Sequence, residues 1–177
     1  IIQALADREI YMSKAISLGN AADLNESDYL EHLGADEETR VVGAYVEGLK
    51  DPERFLSVAR GVVRKKPLIV LKGGRTSGGA AAARLHTGSL AGSSVVWESL
   101  CRQGGIVQVN NCREMIDTIQ AFSRLKPPRG RRVGIISVGG GFCVLAADEC
   151  ISAGLMVPEL SYEVKSELRK FNPLAGT

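Results

Sequence analysis

The runs Val41-Val42-Gly43-Ala44-Tyr45-Val46-Glu47-Gly48, Asp51-Pro52-Glu53 and Leu68-Ile69-Val70-Leu71 decide the fold. The first is short and apolar and reads as a buried strand over 41–46. Asp51-Pro52-Glu53 is a strong helix start. Asp51 supplies the cap, Pro52 suits the first turn, and Glu53 sits near the positive end of the helix dipole. That helix runs to about residue 65, where basic residues meet its negative end, and Pro67 breaks it. Residues 68–71 form the next strand. Short apolar runs continue to alternate with amphipathic segments on both sides, which argues for an α/β fold with a parallel sheet.

Toward the N-terminus, residues 1–8 read as the end of a helix. Residues 14–18 read as a short strand stopped by Gly19-Asn20. Ser27 is placed to cap a helix to about Leu33, closed by Gly34. Beyond the second strand, residues 72–92 are rich in glycine, alanine, serine and threonine and carry no clear strand. Residues 93–103 read as a helix and 106–109 as a strand. Asn111 caps a helix over 111–124, with Glu114 three residues on. Lys126-Pro127-Pro128-Arg129-Gly130 is the best linker, because two prolines stop the helix and charge keeps it exposed. A new unit follows: a strand over 132–138, a tight turn at Gly139-Gly140-Gly141, a helix over 142–153, and a last helix from Ser161. No repeat at a solenoid period is visible.

The 177 residues suit one domain, or one domain with part of another. A hydrophobic content of 45% with 24% charged residues is ordinary for a soluble globular protein. The net charge of +2 gives no reason to expect nucleic acid or an anionic membrane, and the basic clusters 64–66 and 129–132 fall at element ends. No apolar run approaches the roughly 20 residues of a membrane helix, and there is no signal-peptide pattern. Cys101, Cys112, Cys143 and Cys150 form no CxxC and no zinc spacing, so no metal site is expected. Cys143 and Cys150 read as small hydrophobes, and a reducing cytoplasm fits best. The chain starts at Ile1 and stops soon after a helix, which reads as a fragment of a longer protein.

His86 is the leading candidate for chemistry. It is one of two histidines and lies in Leu85-His86-Thr87-Gly88-Ser89-Leu90-Ala91-Gly92-Ser93, where few apolar neighbours would pack its ring. Imidazole can act as a nucleophile and carry a phosphoryl group. Glu47 follows a strand and precedes a glycine, at the end where α/β sheets place ligands. A carboxylate there would orient an imidazole and stabilise its cation; the alternative is a surface loop acid. The strand, triple glycine and helix from 132 are either an anion site at a helix N-terminus or a turn whose glycines serve close packing. The loop lacks both the P-loop and the GxGxxG pattern. Lys72 and Arg75 either bind phosphate or are solvated. His32 reads as a helix-surface residue.

The runs Ser17-Leu18-Gly19-Asn20-Ala21-Ala22-Asp23, Tyr45-Val46-Glu47-Gly48, Val70-Leu71-Lys72-Gly73-Gly74-Arg75 and His86-Thr87-Gly88-Ser89-Leu90-Ala91-Gly92 resemble the NDP-forming acyl-CoA synthetases. This family includes ADP-forming acetyl-CoA synthetase and is related to succinyl-CoA synthetase. Val144-Leu145-Ala146-Ala147-Asp148 and Pro158-Glu159-Leu160-Ser161 also match, so the resemblance covers essentially the whole chain. It implies a flavodoxin-like unit over 1–125, carrying the phosphohistidine loop, and the start of a second such unit over 131–177. It implies an acid–thiol ligase that interconverts acid, CoA and ATP with acyl-CoA, ADP and phosphate, through an acyl phosphate and a phosphohistidine. The phosphorylated histidine matches His86, and the glutamate that stabilises it matches Glu47. Gly139, Gly140, Gly141 and Gly88 match phosphate-facing positions. CoA, ATP or ADP and Mg²⁺ would be bound mainly by CoA-binding and ATP-grasp domains, in cis or as another subunit, in an oligomer acting on a small carboxylic acid or its acyl-CoA.

Some positions depart from the pattern. Val138, Phe142 and Cys143 stand where the family tends to have Asn, Pro and Gly. Leu85 replaces a small hydroxyl residue. A second reading is a regulatory synthetase-like module of a protein-lysine acetyltransferase, where the histidine is often lost; retention of His86 with Glu47 favours the ligase. A purely structural or docking domain is a third reading, opposed by the glycine-rich context of His86.

Overall fold

β2 (Leu68–Lys72) is buried along its whole length and forms the middle of a parallel sheet. A computed structural model describes residues 1–79, 81, 83 and 94–173. β1 (Val42–Val46) and β3 (Val107–Val109) flank β2 in the order β1-β2-β3. Val42 pairs with Leu68 and Val46 with Lys72, while Ile69 pairs with Val107 and Leu71 with Val109.

Side chains alternate across a strand, so β2 feeds two cores. Leu68 and Val70 pack with Leu30 of α2 (Glu26–Ala35), Phe55, Ala59 and Val62 of α3 (Pro52–Val63), and Trp97 and Cys101 of α4 (Ser94–Gly104). Ile69 and Leu71 pack on the other face with Leu5 of α1 (Ile2–Ala6) and with Met115, Ile116 and Ile119 of α5 (Cys112–Arg124). The result is a parallel sheet with helices on both faces, the flavodoxin-like arrangement expected of the sequence. β1 is an edge strand and is only partly buried, with Tyr45 54% exposed.

The helix starts follow local chemistry. Asp51 Oδ1 accepts from the Arg54 N–H at 2.9 Å, with Pro52 in the first turn of α3. Asn111 caps α5 by accepting from the Glu114 N–H at 2.9 Å. At α2 the cap is Asn25 rather than Ser27. Asn25 accepts from the Ser27 N–H, and Asp28 accepts from the Asn25 N–H, which closes a capping box. Gly34 does not end that helix, which runs to Ala35. A Cβ on Gly34 would lie 2.6 Å from Val62 Cγ2, so its role is close packing of α2 on α3.

Two expected strands do not form. Residues 14–18 and 132–138 have no ladder among the described residues. Strands are fixed by partners for their N–H and C=O groups rather than by apolar content alone. Residues 132–138 gain only one parallel bridge, between Arg132 and Met156, and Ile136 and Val138 are fully exposed.

The chain divides into the units Ile1–Lys126 and Pro127–Thr177. Every buried hydrophobic side chain among the described residues belongs to the first. The second carries α6 (Gly140–Ser152) and α7 (Tyr162–Phe171), the latter capped by Ser161. α6 starts at the second glycine of the triple, two residues earlier than the sequence suggests. His32 is exposed on α2, as expected. No helix among the described residues is long and apolar enough to cross a membrane.

Candidate functional site

Ligand sites of parallel α/β sheets lie outside the carboxyl ends of the strands. Here β1 delivers Glu47 to that edge, β2 delivers Lys72 and the loop Gly73-Gly74-Arg75, and β3 delivers Asn110. The pairing extends past β2, because the Gly73 N–H donates to Val46 O at 2.8 Å. Gly74 takes a φ of +69°, a left-handed conformation that glycine adopts without strain.

Lys72 is neither solvated nor directed outward. It is 7% exposed, and its Nζ donates to the carbonyl of Glu47 at 2.6 Å and to that of Gly73. The ammonium also lies 6.0 Å from the ring centroid of Trp97 on α4. Burial lowers the Lys72 pKa, and the negative charge of Glu47 acts against that shift. The cation thus fixes the backbone at Glu47 from below.

Glu47 is half-buried. The Tyr45 hydroxyl donates to its Oε1 at 3.1 Å. Residues i and i+2 share one face of a strand, so this neighbour was available from spacing alone, although nothing in the sequence marked Tyr45. Loss of water around the phenol, and then the bond to Glu47, raise the Tyr45 pKa. The pair lies across Gly73. A Cβ there would come 2.5 Å from the Tyr45 hydroxyl oxygen and 3.2 Å from Glu47 Cγ.

A second polar group closes the β3 side. Arg75 Nη1 donates to Asn110 Oδ1 at 2.6 Å. The Asn110 N–H and side-chain amide donate to Glu114 Oε2 at 2.8 and 2.9 Å. These bonds, led by the backbone N–H, lower the Glu114 pKa, with Arg75 adding to the effect. Beside Lys72 and Arg75, among the described residues, Lys72, Arg75, Thr76, Ser94, Trp97 and Asn110 line a cleft of about 270 Å³. That is slightly below the roughly 300 Å³ at which sites for drug-sized ligands begin. Trp97 is 6% exposed, and its indole N–H has no hydrogen-bond partner among the described residues.

His86 and Gly88 lie outside the described residues. Gly139, Gly140 and Gly141 are described within the second unit. Gly139 stands at the N-cap of α6 with no side-chain cap. Added Cβ atoms at Gly140 and Gly141 would meet nothing within 4 Å, and neither glycine has a positive φ. Close packing inside that unit does not account for these two glycines. Among the described residues no group of three or more His, Cys, Asp or Glu could hold a metal ion.

Residues 1–122 match the family model described as succinyl-CoA ligase like flavodoxin domain. The chain belongs to this family. Within it, the chain is 43% identical over 164 residues to an acetate–CoA ligase (ADP-forming) of Methanocaldococcus jannaschii, covering 93% of this chain and 23% of that protein. It is 41% identical over 173 residues to the alpha subunit of acetate–CoA ligase (ADP-forming) II of Pyrococcus furiosus, covering 98% of this chain and 38% of the subunit. The chain therefore spans well under half the length of these relatives. The succinyl-CoA ligase-like fold also matches a solved structure with a TM-score of 0.90 and 34% identity, covering 98% of this chain and 38% of the other. That structure is dinucleotide-forming acetyl-coenzyme A synthetase 1 of Ca. Korarchaeum cryptofilum, in complex with phosphate and ADP.

Proposed function

We propose that this chain is the phosphoryl-carrying part of an ADP-forming acyl-CoA synthetase, with His86 as the phosphorylated residue and Glu47 as its carboxylate partner. The anchoring of Glu47 supports this reading most directly. A carboxylate at the ligand end of the sheet has its backbone held by a buried cation and one oxygen held by a tyrosine. In sequence, the loop leaving that same edge leads into His86.

In the ATP-forming direction the reaction has three steps. A phosphate oxygen attacks the acyl carbon of the acyl-CoA, the CoA sulfur leaves as a thiol, and an acyl phosphate results. A ring nitrogen of His86 attacks phosphorus with its lone pair, and the acid departs as carboxylate. The ring keeps its other N–H and becomes cationic, and Glu47 accepts that N–H and offsets the charge. A terminal phosphate oxygen of ADP then takes the phosphoryl group, which gives ATP and neutral His86. Backbone N–H groups at Gly88, Gly139, Gly140 and Gly141 bind phosphoryl oxygens, a role that would explain Gly140 and Gly141, which packing inside their own unit does not require.

The substrates are CoA, phosphate, ADP or ATP, and a small carboxylic acid; acetate is the first to try, given the names of the relatives. Mg²⁺ accompanies the nucleotide, and no side chain of this chain is assigned to it. CoA-binding and ATP-grasp domains complete the reaction in cis or as another subunit. The name of the Pyrococcus relative, an alpha subunit, supports such a division and an oligomeric assembly. Free cysteines among the described residues fit action in the cytoplasm. In the intact protein, CoA and acetate should elicit ADP release from MgATP. His86→Ala should abolish that release, and Glu47→Gln should lower it by at least about 10²-fold. Undiminished turnover in His86→Ala would remove the reading.

A further inference from the structure

The reaction described above uses Glu47 and leaves Tyr45 without a task. Tyr45 belongs to neither core cluster among the described residues. Its hydroxyl donates to one oxygen of Glu47 at 3.1 Å. The seat for this pair is Gly73, where any Cβ would fall 2.5 Å from the phenol oxygen and 2.9 Å from Cζ. Lys72 holds the Glu47 carbonyl at 2.6 Å. Backbone and carboxylate are thus fixed separately, by two different strands.

We infer that Tyr45 is a positioning residue for Glu47, holding one carboxylate oxygen so that the other is presented to the N–H of the phosphorylated imidazole. The inference rests on the role of Glu47 proposed above. The chemistry favours a phenol for this task. A neutral donor orients a carboxylate without cancelling its charge, whereas an arginine or lysine in the same place would compete with the imidazolium for it. The charged or titratable groups that act on the pair include Lys72 on β2 and Cys112 at the first residue of α5, which acts electrostatically on the phenol.

A hydrogen bond to the ionised form lowers the pKa of a carboxylic acid. Removing it lets Glu47 take up a proton at higher pH. The test is the pH profile of the rate at which MgATP phosphorylates His86 in the intact protein. Tyr45→Phe keeps the ring and loses the donor. It should move the acid limb of the profile up by roughly half to one pH unit. Gly73→Ala places a methyl group 2.5 Å from the hydroxyl oxygen, which must move away, and should produce the same shift. The double variant should shift no further than either single one. Glu47→Gln should change the limb, leaving only the part set by protonation of the His86 ring, whose neutral form is the nucleophile. A parental profile in Glu47→Gln would overturn the role of Glu47, and that of Tyr45 with it. A changed limb in Glu47→Gln beside a parental profile in Tyr45→Phe would overturn the Tyr45 assignment alone. A drop in rate equal at all pH values in Tyr45→Phe, with no shift, would make Tyr45 a structural residue and overturn it as well.

Discussion

Asp36, just past the end of α2, accepts from Lys14 Nζ at 2.9 Å and from the Thr39 hydroxyl. These two contacts, led by Lys14, hold its pKa at about 2, down from 3.8. Because the folded value lies below the unfolded one, the stability this cluster contributes is fully present above pH 3.8 and is lost as pH falls toward 2. Asp36→Asn should be less stable than the parent at neutral pH and should lose less between about pH 4 and about pH 2. Denaturant midpoints of the intact protein across that window check this, and parallel curves would contradict it. Residues of this kind were legible in part. The end of a parallel strand drew attention to Glu47, but position alone fits a surface acid equally, and only the family resemblance gave it a role. Lys72 was read as a phosphate ligand or a solvated side chain because only Gly73-Gly74-Arg75 adjoins it in sequence. Its actual partners are the carbonyl of Glu47 on another strand and the ring of Trp97 on α4, and no local pattern carries that information.

Elements with their own end signals were readable before any tertiary contact was known. α3 begins where Asp51-Pro52-Glu53 requires, and α5 begins after Asn111 with Glu114 answering. β2 was readable as a buried run because both of its faces are covered. Residues 14–18 and 132–138 also carry apolar side chains but form no ladder among the described residues, since a strand depends on its neighbour. Gly34 shows the same limit in a helix. It looked like a terminator, and it is instead the point where α2 meets Val62, a stiff β-branched side chain that is 4% exposed. Gly34→Ala should therefore cost about 1–3 kcal/mol through overpacking. Gly61, on the exposed side of α3, has nothing within 4 Å of an added Cβ. Gly61→Ala should stabilise by roughly 0.5–1 kcal/mol. Hydrogen exchange of α3 amides in the intact protein reads both effects. Equal protection in the two variants would contradict the packing argument.

At the scale of the whole molecule, the alternation of strand and helix was enough to specify a parallel sheet, and the proline pair at 127–128 was enough to suggest where one unit gives way to another. The contact boundary falls between Lys126 and Pro127. The unit before it owns all the buried hydrophobic side chains among the described residues and carries Glu47, Tyr45 and Lys72 at one edge of its sheet. The unit after it offers a helix whose first two glycines serve neither packing nor an unusual φ within that unit. Phosphoryl transfer asks a protein mainly for positioning and for oriented charge, and the roles proposed for these residues are of that kind. The central claim is that His86 carries a phosphoryl group. A phosphoramidate on histidine is labile in acid and stable in base, unlike a phosphate ester of serine. The direct measurement is to incubate the intact protein with γ-labelled ATP and Mg²⁺ beside the His86→Ala variant, then to treat both with acid and with base. Phosphorylation of His86 should give a label in the parent that survives base, is lost in acid, and is absent from the variant. A folded parent that takes up no label, or a label that persists in His86→Ala, would contradict it.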